Sequence, residues 1–242
     1  MVLFLGDIHG NFEYLKHLII SRKISDCFII QVGDFGIGFT NPINDKFVLS
    51  SLNDFMSDKN IILIAIRGNH DDPDYFKGNH IYSNLRLVED YTVMTIEDKK
   101  YLFIGGAISV DRIPRIANNM AYARYGNDKK GFWYGEKVVF DEDKLLACEN
   151  IDIIVTHTAP EWCVPDNRLG FGSLVENFAS DDSNLKTELA EERKVMSDIF
   201  NTLKEKNNIK KAYYGHFHKS EVTIFNNIEH HLLNINEIKE LR

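Results

Sequence analysis

Short, continuously apolar runs that alternate with helical patterns are the feature that most limits how this chain can fold. Such runs cover residues 2–5, 27–32, 61–66 and 151–156, and each ends at a polar or glycine-containing turn. Between the first three runs, apolar residues recur at the spacing of a helix, and Asn11 is a candidate N-cap. The apolar face of the second helix is predicted to comprise Phe47, Leu49, Leu52, Phe55 and Met56. Buried strands alternating with helices predict a layered α/β fold.

The chain beyond Leu85 has a different texture. Its apolar runs are short and separated by turns, which indicates antiparallel or mixed pairing. Residues 161–183 are polar and contain glycine, so we expect a long surface loop there, followed by a long helix over 185–206. A final hairpin is predicted around Asn226 and Asn227. Because there is no internal repeat, low-complexity tract or linker, we expect one domain over residues 1–242.

Composition excludes several classes of function. The chain has 242 residues, of which 44% are hydrophobic, and a formal net charge of −8, which disfavours binding to long duplex nucleic acid. Its three cysteines, Cys27, Cys148 and Cys163, form no CxxC pair, so neither a disulfide framework nor a zinc ribbon is indicated. No secretory signal or membrane-spanning run is present. These features predict a soluble, cytoplasmic protein with no membrane partner.

Polar residues that can bind metal ions follow five of the predicted strands. They are Asp7 and His9, Asp34, Asn69 and His70, His157, and His216 and His218, in chain order. In open α/β sheets, ligands bind beyond the carboxyl ends of the strands, so we expect these side chains to share one edge. Carboxylate, imidazole and amide oxygen are suitable ligands for first-row divalent ions. Turn preference explains Asp, Asn and Gly at such places, but it does not explain the histidines.

These residues lie in motifs that resemble a known family. GDIHG, GDFG, GNHD, TH and GHFH occur in that order between Asp7 and His218, as in the calcineurin-like metallophosphoesterases. GGAISVDRIPR, at residues 105–115, is similar to the small bacterial and phage members. The resemblance implies that family's α/β fold, in which central mixed β-sheets form a β-sandwich flanked by helices. It also implies a metal site at the C-terminal strand ends.

The resemblance also implies a role for each motif residue. Asp7, His9 and His218 would bind one divalent ion, Asn69, His157 and His216 a second, and Asp34 both. His70 would act on the substrate phosphate and its leaving oxygen, steadied by Asp71. Manganese would be the preferred metal for both ions, with iron, zinc or nickel as alternatives. Hydrolysis would proceed by direct attack of a metal-bridging hydroxide.

Two further features concern the substrate. Arg112 and Arg115 follow an apolar run in an acidic protein, and they are candidates to bind a phosphate group; the alternative is that they are solvated or paired with Asp111. The segment 161–183 is the candidate specificity element or lid, because long loops on a rigid scaffold are often functional.

Several functions remain open within this resemblance. The first is a phosphoesterase acting on a phosphate mono- or diester of a phosphoprotein, a nucleotide, a cyclic nucleotide or a dinucleoside polyphosphate. A metal-dependent nuclease acting on a short nucleic-acid end is an alternative, which the acidic charge disfavours. A non-catalytic scaffold is disfavoured because every ligand position of the motifs is occupied.

One departure from the family pattern is that Asp34 is followed by Phe35, Gly36 and Ile37. The second acid of a GDxxD motif is thus absent, which weakens kinship with the Ser/Thr protein phosphatases.

Overall fold

The computed structural model describes residues 1–80, 82–126, 129–165, 172–204 and 206–241, and its frame is a pair of β-sheets. The first sheet has five strands, in the order β11 (Ile238–Glu240), β1 (Val2–Leu5), β2 (Cys27–Gln31), β3 (Ile61–Ala65) and β4 (Leu85–Leu87). Strands β1 to β4 are parallel, and only β11 runs antiparallel to its neighbour. The polar residues that follow β1, β2 and β3 therefore share one edge of this sheet.

The second sheet has six strands and is also mixed. Its order is β5 (Thr92–Ile96), β6 (Lys99–Ile104), β7 (Ile153–Thr156), β8 (Lys211–Tyr214), β10 (Ile228–Leu232) and β9 (Glu221–Phe225). β6, β7, β8 and β10 are parallel, and the two outer strands pair antiparallel. The predicted final hairpin is present, with Asn226 and Asn227 both at positive φ as a tight turn requires.

Within the described ranges, six α-helices accompany the sheets. They are α1 (Phe12–Ser21), α2 (Pro42–Asp58), α3 (Arg112–Arg124), α4 (Glu142–Ala147), α5 (Ser173–Ala179) and α6 (Leu185–Lys204). Asn11 caps α1 as predicted, because its side chain accepts a hydrogen bond from the Tyr14 amide at 3.3 Å. No helix of the described ranges combines the length and apolarity needed to cross a bilayer.

The two sheets pack face to face, and helices cover their outer faces. Phe4 of β1 lies between the sheets, where its ring stacks on Tyr213 of β8 with centroids 3.4 Å apart. Leu15 and Leu49, from α1 and α2, pack on the outer face of the first sheet, and Phe200 of α6 packs on that of the second. The result is the predicted β-sandwich flanked by helices.

Three features of the local structure differ from the sequence predictions or were absent from them. Helix α3 was not predicted, although Ile113, Ile116 and Met120 recur in it at helical spacing; only Arg112 of its thirteen residues is buried. The segment 161–183 is not a continuous loop, since it contains a short 3-10 helix (Glu161–Cys163) and α5; residues 166–171 lie outside the described ranges. Phe47 is 74% exposed rather than on the buried face of α2.

The interlayer core gives a stability prediction with a matched control. Phe4→Ala should lower the free energy of unfolding by about 3–5 kcal/mol, because a fully buried ring is removed from between the sheets. Phe47→Ala should change it by no more than about 0.5 kcal/mol, because that ring is in solvent. Urea unfolding followed by circular dichroism measures both. Equal losses would contradict this account of the core.

Candidate metal centre

Two clusters of metal-binding side chains meet at the edge where the parallel strands end. The first cluster contains Asp7, His9, Asp34 and His218, and the second contains Asp34, His157 and His216. Within each cluster the ligand atoms lie within 4.8 Å of one another. Asp34 is common to both, so the two clusters are adjacent and share one carboxylate.

The first cluster gathers two imidazoles around the buried Asp7 carboxylate. The Nε2 atoms of His9 and His218 are 3.1 Å apart, and Asp7 Oδ2 lies 4.0 and 3.3 Å from them. The other ring nitrogen of His9 is 3.7 Å from Asp34 Oδ2. The hydrogen bond that His218 donates to the Asp7 carboxylate raises the pKa of His218, so without a cation a proton is favoured here. An arrangement of two imidazoles and two carboxylates that attracts positive charge fits a divalent cation.

The second cluster brings three electron-pair donors together. His157 Nδ1 lies 2.8 Å from the Val32 carbonyl, which only accepts, so this nitrogen carries a proton, and Nε2 presents a lone pair when the ring is neutral. His157 Nε2 is 3.1 Å from Asp34 Oδ1 and 3.2 Å from Asn69 Oδ1. Three lone pairs at this distance repel one another unless a positive charge lies among them. The donors therefore fit a cation, and they include the predicted ligand Asn69.

The pKa values of the second cluster support the same conclusion. Burial lowers the pKa of His157, but the Asp34 carboxylate outweighs burial and raises it to about 9. Burial lowers the pKa of His216 to about 3, so its imidazole is neutral, as a metal ligand must be. Without a metal, the proton on His157 supplies the positive charge that the donors require.

The backbone at these positions is held in a conformation that most residues avoid. His9, Asp34, His216 and His218 have φ values of 47°, 54°, 68° and 51°, in the left-handed region. Each such residue costs about 1 kcal/mol or more, and such strain concentrates at functional sites. All four are among the predicted metal ligands.

His70 lies beside the clusters and contacts Arg115. Its ring centroid is 4.8 Å from that of His9, its amide donates to Asp34 Oδ1 at 2.8 Å, and its Nε2 contacts Arg115 Nη2. Arg115 is oriented by Asp111, which accepts from its Nε at 2.8 Å. Burial, reinforced by the Arg115 charge, lowers the pKa of His70 to about 4. The ring is thus a neutral group next to a guanidinium.

Asp71 connects two loops of the site through its carboxylate, whereas the sequence predicted that it would steady His70. Its buried carboxylate accepts hydrogen bonds from the amides of residues 35–37 and of Gly68, at 2.6–3.1 Å. None of these bonds reaches His70. Asp71 instead ties the loop after β2 to the loop after β3, and so fixes the spacing of Asp34 and Asn69.

Arg112 is not brought to the clusters. Its Nε and Nη2 donate to Asp182 at 2.5 and 3.1 Å, and its Nη1 donates to Glu188 at 2.5 Å. The guanidinium is 8% exposed and is committed to these two carboxylates. The prediction that Arg112 binds substrate is therefore wrong, because the unpredicted helix α3 turns this residue toward α6. Arg115, one helical turn further on, contacts His70 instead.

A cavity of about 360 Å³ opens over both clusters. Its wall combines candidate ligands with Leu189 of α6 and with Val164, Gly172 and Leu174 of the 161–183 segment. Two larger cavities, of about 650 and 730 Å³, lie on the side of Tyr134, and no candidate ligand lines them. The smaller cavity is the one that a substrate of this site would occupy.

The glycine before Asn69 provides a test of the site's geometry. A Cβ at Gly68 would lie 2.1 Å from Asp34 Oδ1 and 2.7 Å from His157 Nε2. Gly68→Ala should therefore displace both groups and reduce the Mn²⁺ that remains bound after dialysis by about one ion or more per chain. Metal analysis of the dialysed protein measures this. Gly135→Ala is the control, because its Cβ would meet its nearest atom at 3.6 Å. Unchanged manganese content in Gly68→Ala would contradict the geometry.

The solved structures that resemble this chain share little sequence identity with it. No curated protein matches the sequence. Among solved structures, the phosphopantetheinyl hydrolase of Mycobacterium tuberculosis is 13% identical, with a TM-score of 0.45 over 97% of this chain and 89% of its own. The inner membrane complex anchor GAP50 of Plasmodium is 14% identical, with a TM-score of 0.43 over 96% of this chain and 71% of its own. A putative 5'-nucleotidase of Staphylococcus aureus is 14% identical, with a TM-score of 0.45; 98% of this chain spans 49% of that protein.

The family itself is established by sequence. The family model described as calcineurin-like phosphoesterase matches residues 1–220, which is most of the 242-residue chain. The match extends from β1 through both histidines of the GHFH motif. The chain therefore belongs to the calcineurin-like phosphoesterases and is a metal-dependent hydrolase of phosphate esters.

Proposed function

We propose that this chain hydrolyses a phosphate mono- or diester with two divalent cations bound side by side. The observation that carries the proposal is that Asp34 belongs to both clusters of ligand atoms. One carboxylate with two oxygens, each facing a different set of imidazoles, is suited to hold two ions about 3.5–4 Å apart. Asp7, His9 and His218 would hold one ion, and Asn69, His157 and His216 the other.

The cations would supply charge and a nucleophile. When bound, two divalent ions offset the charge of a phosphate group and lower the pKa of water enough to provide hydroxide near neutral pH. The protein would position the ester so that its phosphorus faces that water, with the leaving oxygen on the opposite side. No nucleophilic side chain is required for this direct displacement.

His70 and Arg115 are placed to act on the ester itself. His70 lies next to the first cluster and Arg115 contacts His70, and the guanidinium has a planar set of donors that suits two phosphate oxygens. As charge develops on the leaving oxygen, a donor from this pair would stabilise it. Arg115 thus takes the phosphate-binding role that the sequence divided between Arg112 and Arg115.

The substrate would be a small or exposed phosphate ester. The cavity over the clusters is about 360 Å³, enough for a phosphate and a modest leaving group, and its wall is partly apolar. We infer that a phosphoprotein side chain, a nucleotide or a short nucleic-acid end would be taken, with Gly172 and Leu174 contributing to specificity. Manganese is the proposed ion, and the cytoplasm the proposed location, because the donor set suits first-row ions and the three cysteines are buried and free.

Rates with model substrates test the proposal. We expect para-nitrophenyl phosphate or its bis-ester to be hydrolysed with added Mn²⁺, and the rate to fall about a thousandfold or more in Asp34→Asn, because both ions lose a shared ligand. His70→Gln should lower kcat by about 10²–10⁴-fold, the range for a group that transfers or donates a proton in the transition state. The ratio of monoester to diester rates identifies the ester class. Full activity in Asp34→Asn would refute the two-cation proposal.

The two arginines of α3 form a matched pair for a second test. Arg115→Lys should lower kcat by about tenfold or more, because a lysine cannot present two parallel donors to the phosphate. Arg112→Lys keeps a positive charge between Asp182 and Glu188 but loses the three hydrogen bonds of the guanidinium to them. It should therefore lower the thermal unfolding midpoint and leave kcat per folded molecule unchanged. Steady-state kinetics and thermal melts of both variants measure this. The assignment fails if Arg112→Lys has the lower kcat.

A further inference from the structure

A buried hydrogen-bond chain runs from the second cluster to a carboxylate that the proposed chemistry does not use. Asn69 Nδ2 donates to Ser109 Oγ at 3.0 Å, and Ser109 Oγ donates to Glu136 Oε2 at 2.6 Å. The Ser109 amide donates to the other oxygen, Glu136 Oε1, at 2.8 Å. All three side chains are at least 97% buried. The chain thus ends on a carboxylate held by two hydrogen bonds from one residue.

The direction of each hydrogen bond in this chain follows from chemistry. An ionised carboxylate only accepts, so the Ser109 hydroxyl must give its single hydrogen to Glu136. The hydroxyl oxygen can then only accept from the next group, so the NH₂ side of Asn69 must face Ser109. The oxygen of the Asn69 amide therefore points to the other side, 3.2 Å from His157 Nε2. The two ends of an amide are nearly equal in shape, so such a network decides which end faces a cation.

Glu136 is itself held rigidly. Arg67 Nη1 donates to the backbone carbonyls of Gly135 and Glu136 at 3.0 and 2.8 Å, and Arg67 Nε donates to Asp90 at 3.1 Å. Arg67 lies two residues before Asn69, at the end of β3. Residues 67–69 therefore supply both the Asn69 amide and Arg67, which holds the backbone of Glu136.

We propose that Glu136 and Ser109 are positioning residues that turn the oxygen of the Asn69 amide toward the second cation. Partners behind a metal ligand commonly change metal affinity by about 10–100-fold when they are removed. This role rests on the proposed two-cation site, since the Asn69 oxygen contacts a cation only if a second cation is bound beside it. The family resemblance assigns no role to Glu136 or to Ser109, although Ser109 lies within the GGAISVDRIPR stretch.

Titration of the metal-free protein with Mn²⁺, followed by calorimetry, tests the positioning role. Burial raises the pKa of Glu136 to about 7, although the two hydrogen bonds from Ser109 oppose this, so the titration is made at about pH 8, where the carboxylate is ionised. Wild type should bind two Mn²⁺. Ser109→Ala and Glu136→Gln should weaken one of the two sites by about 10–100-fold and leave the other unchanged. Ser109→Ala removes a single oxygen atom, so it carries the test if Glu136→Gln does not fold.

Two further variants separate orientation of the amide from a general loss of structure. Asp45→Asn removes another buried carboxylate, which accepts from Thr40 Oγ1 at 2.5 Å and from the Tyr75 hydroxyl at 2.8 Å and does not line the cavity over the clusters; both Mn²⁺ affinities should stay at the wild-type level. Asn69→Asp presents an oxygen in either orientation, so adding Ser109→Ala to Asn69→Asp should cost much less affinity than Ser109→Ala alone.

Each result bears on a different claim. If wild type binds two Mn²⁺ and Ser109→Ala binds both with unchanged affinity, the positioning role is wrong and the two-cation site stands. An equal weakening in Asp45→Asn, or full additivity in the Asn69→Asp background, would also overturn the positioning role. If wild type itself binds fewer than two Mn²⁺, the proposed function fails, and the role of Glu136 and Ser109 fails with it.

Discussion

One buried carboxylate, Asp34, is the group on which the rest of the site depends. Its two oxygens face different sets of imidazoles, its backbone oxygen accepts from the amides of Ile8 and His9 at 3.1 and 2.9 Å, and its Oδ1 accepts from the His70 amide. Burial would raise the pKa of this carboxyl, but the charge of His157 outweighs burial and lowers it. A buried anion is stable only when it is compensated in this way. The need for positive charge around Asp34 is therefore built into the fold.

The parallel sheets explain why such a cluster can form, and the loops explain its precision. Strands β1, β2 and β3 run in one direction, so their following residues meet at one edge, and β7 and β8 bring the remaining histidines from the second sheet. The loops then hold four of the candidate ligands at positive φ. Asp71 joins two of these loops through four backbone amides, and the close approach of Gly68 to Asp34 leaves no space for a side chain. Strain of this kind persists because the surrounding structure fixes it.

The sequence predicts the two-sheet frame and the candidate metal ligands better than it predicts the residues that surround those ligands. Continuous apolar runs identify β1, β2, β3 and β7, because burial on both faces leaves a local signal. Helix α3 has Ile113, Ile116 and Met120 at helical spacing, but its only buried residue is Arg112, whose partners Asp182 and Glu188 are distant in sequence and were not predicted. Asp71, Ser109 and Glu136 act through contacts between segments distant in sequence, and a hydrogen bond between residues 109 and 136 has no spacing rule that could reveal it.

The central claim is that two cations share Asp34, and X-ray absorption of the manganese-loaded protein at the Mn K edge tests it most directly. The account predicts a metal–metal scattering contribution at about 3.5–4 Å in wild type, the separation that one bridging carboxylate allows. Loss of this contribution in Asp34→Asn would identify the bridge. A wild-type spectrum with two manganese ions per chain but only nitrogen and oxygen neighbours, and no metal at that distance, would contradict the account.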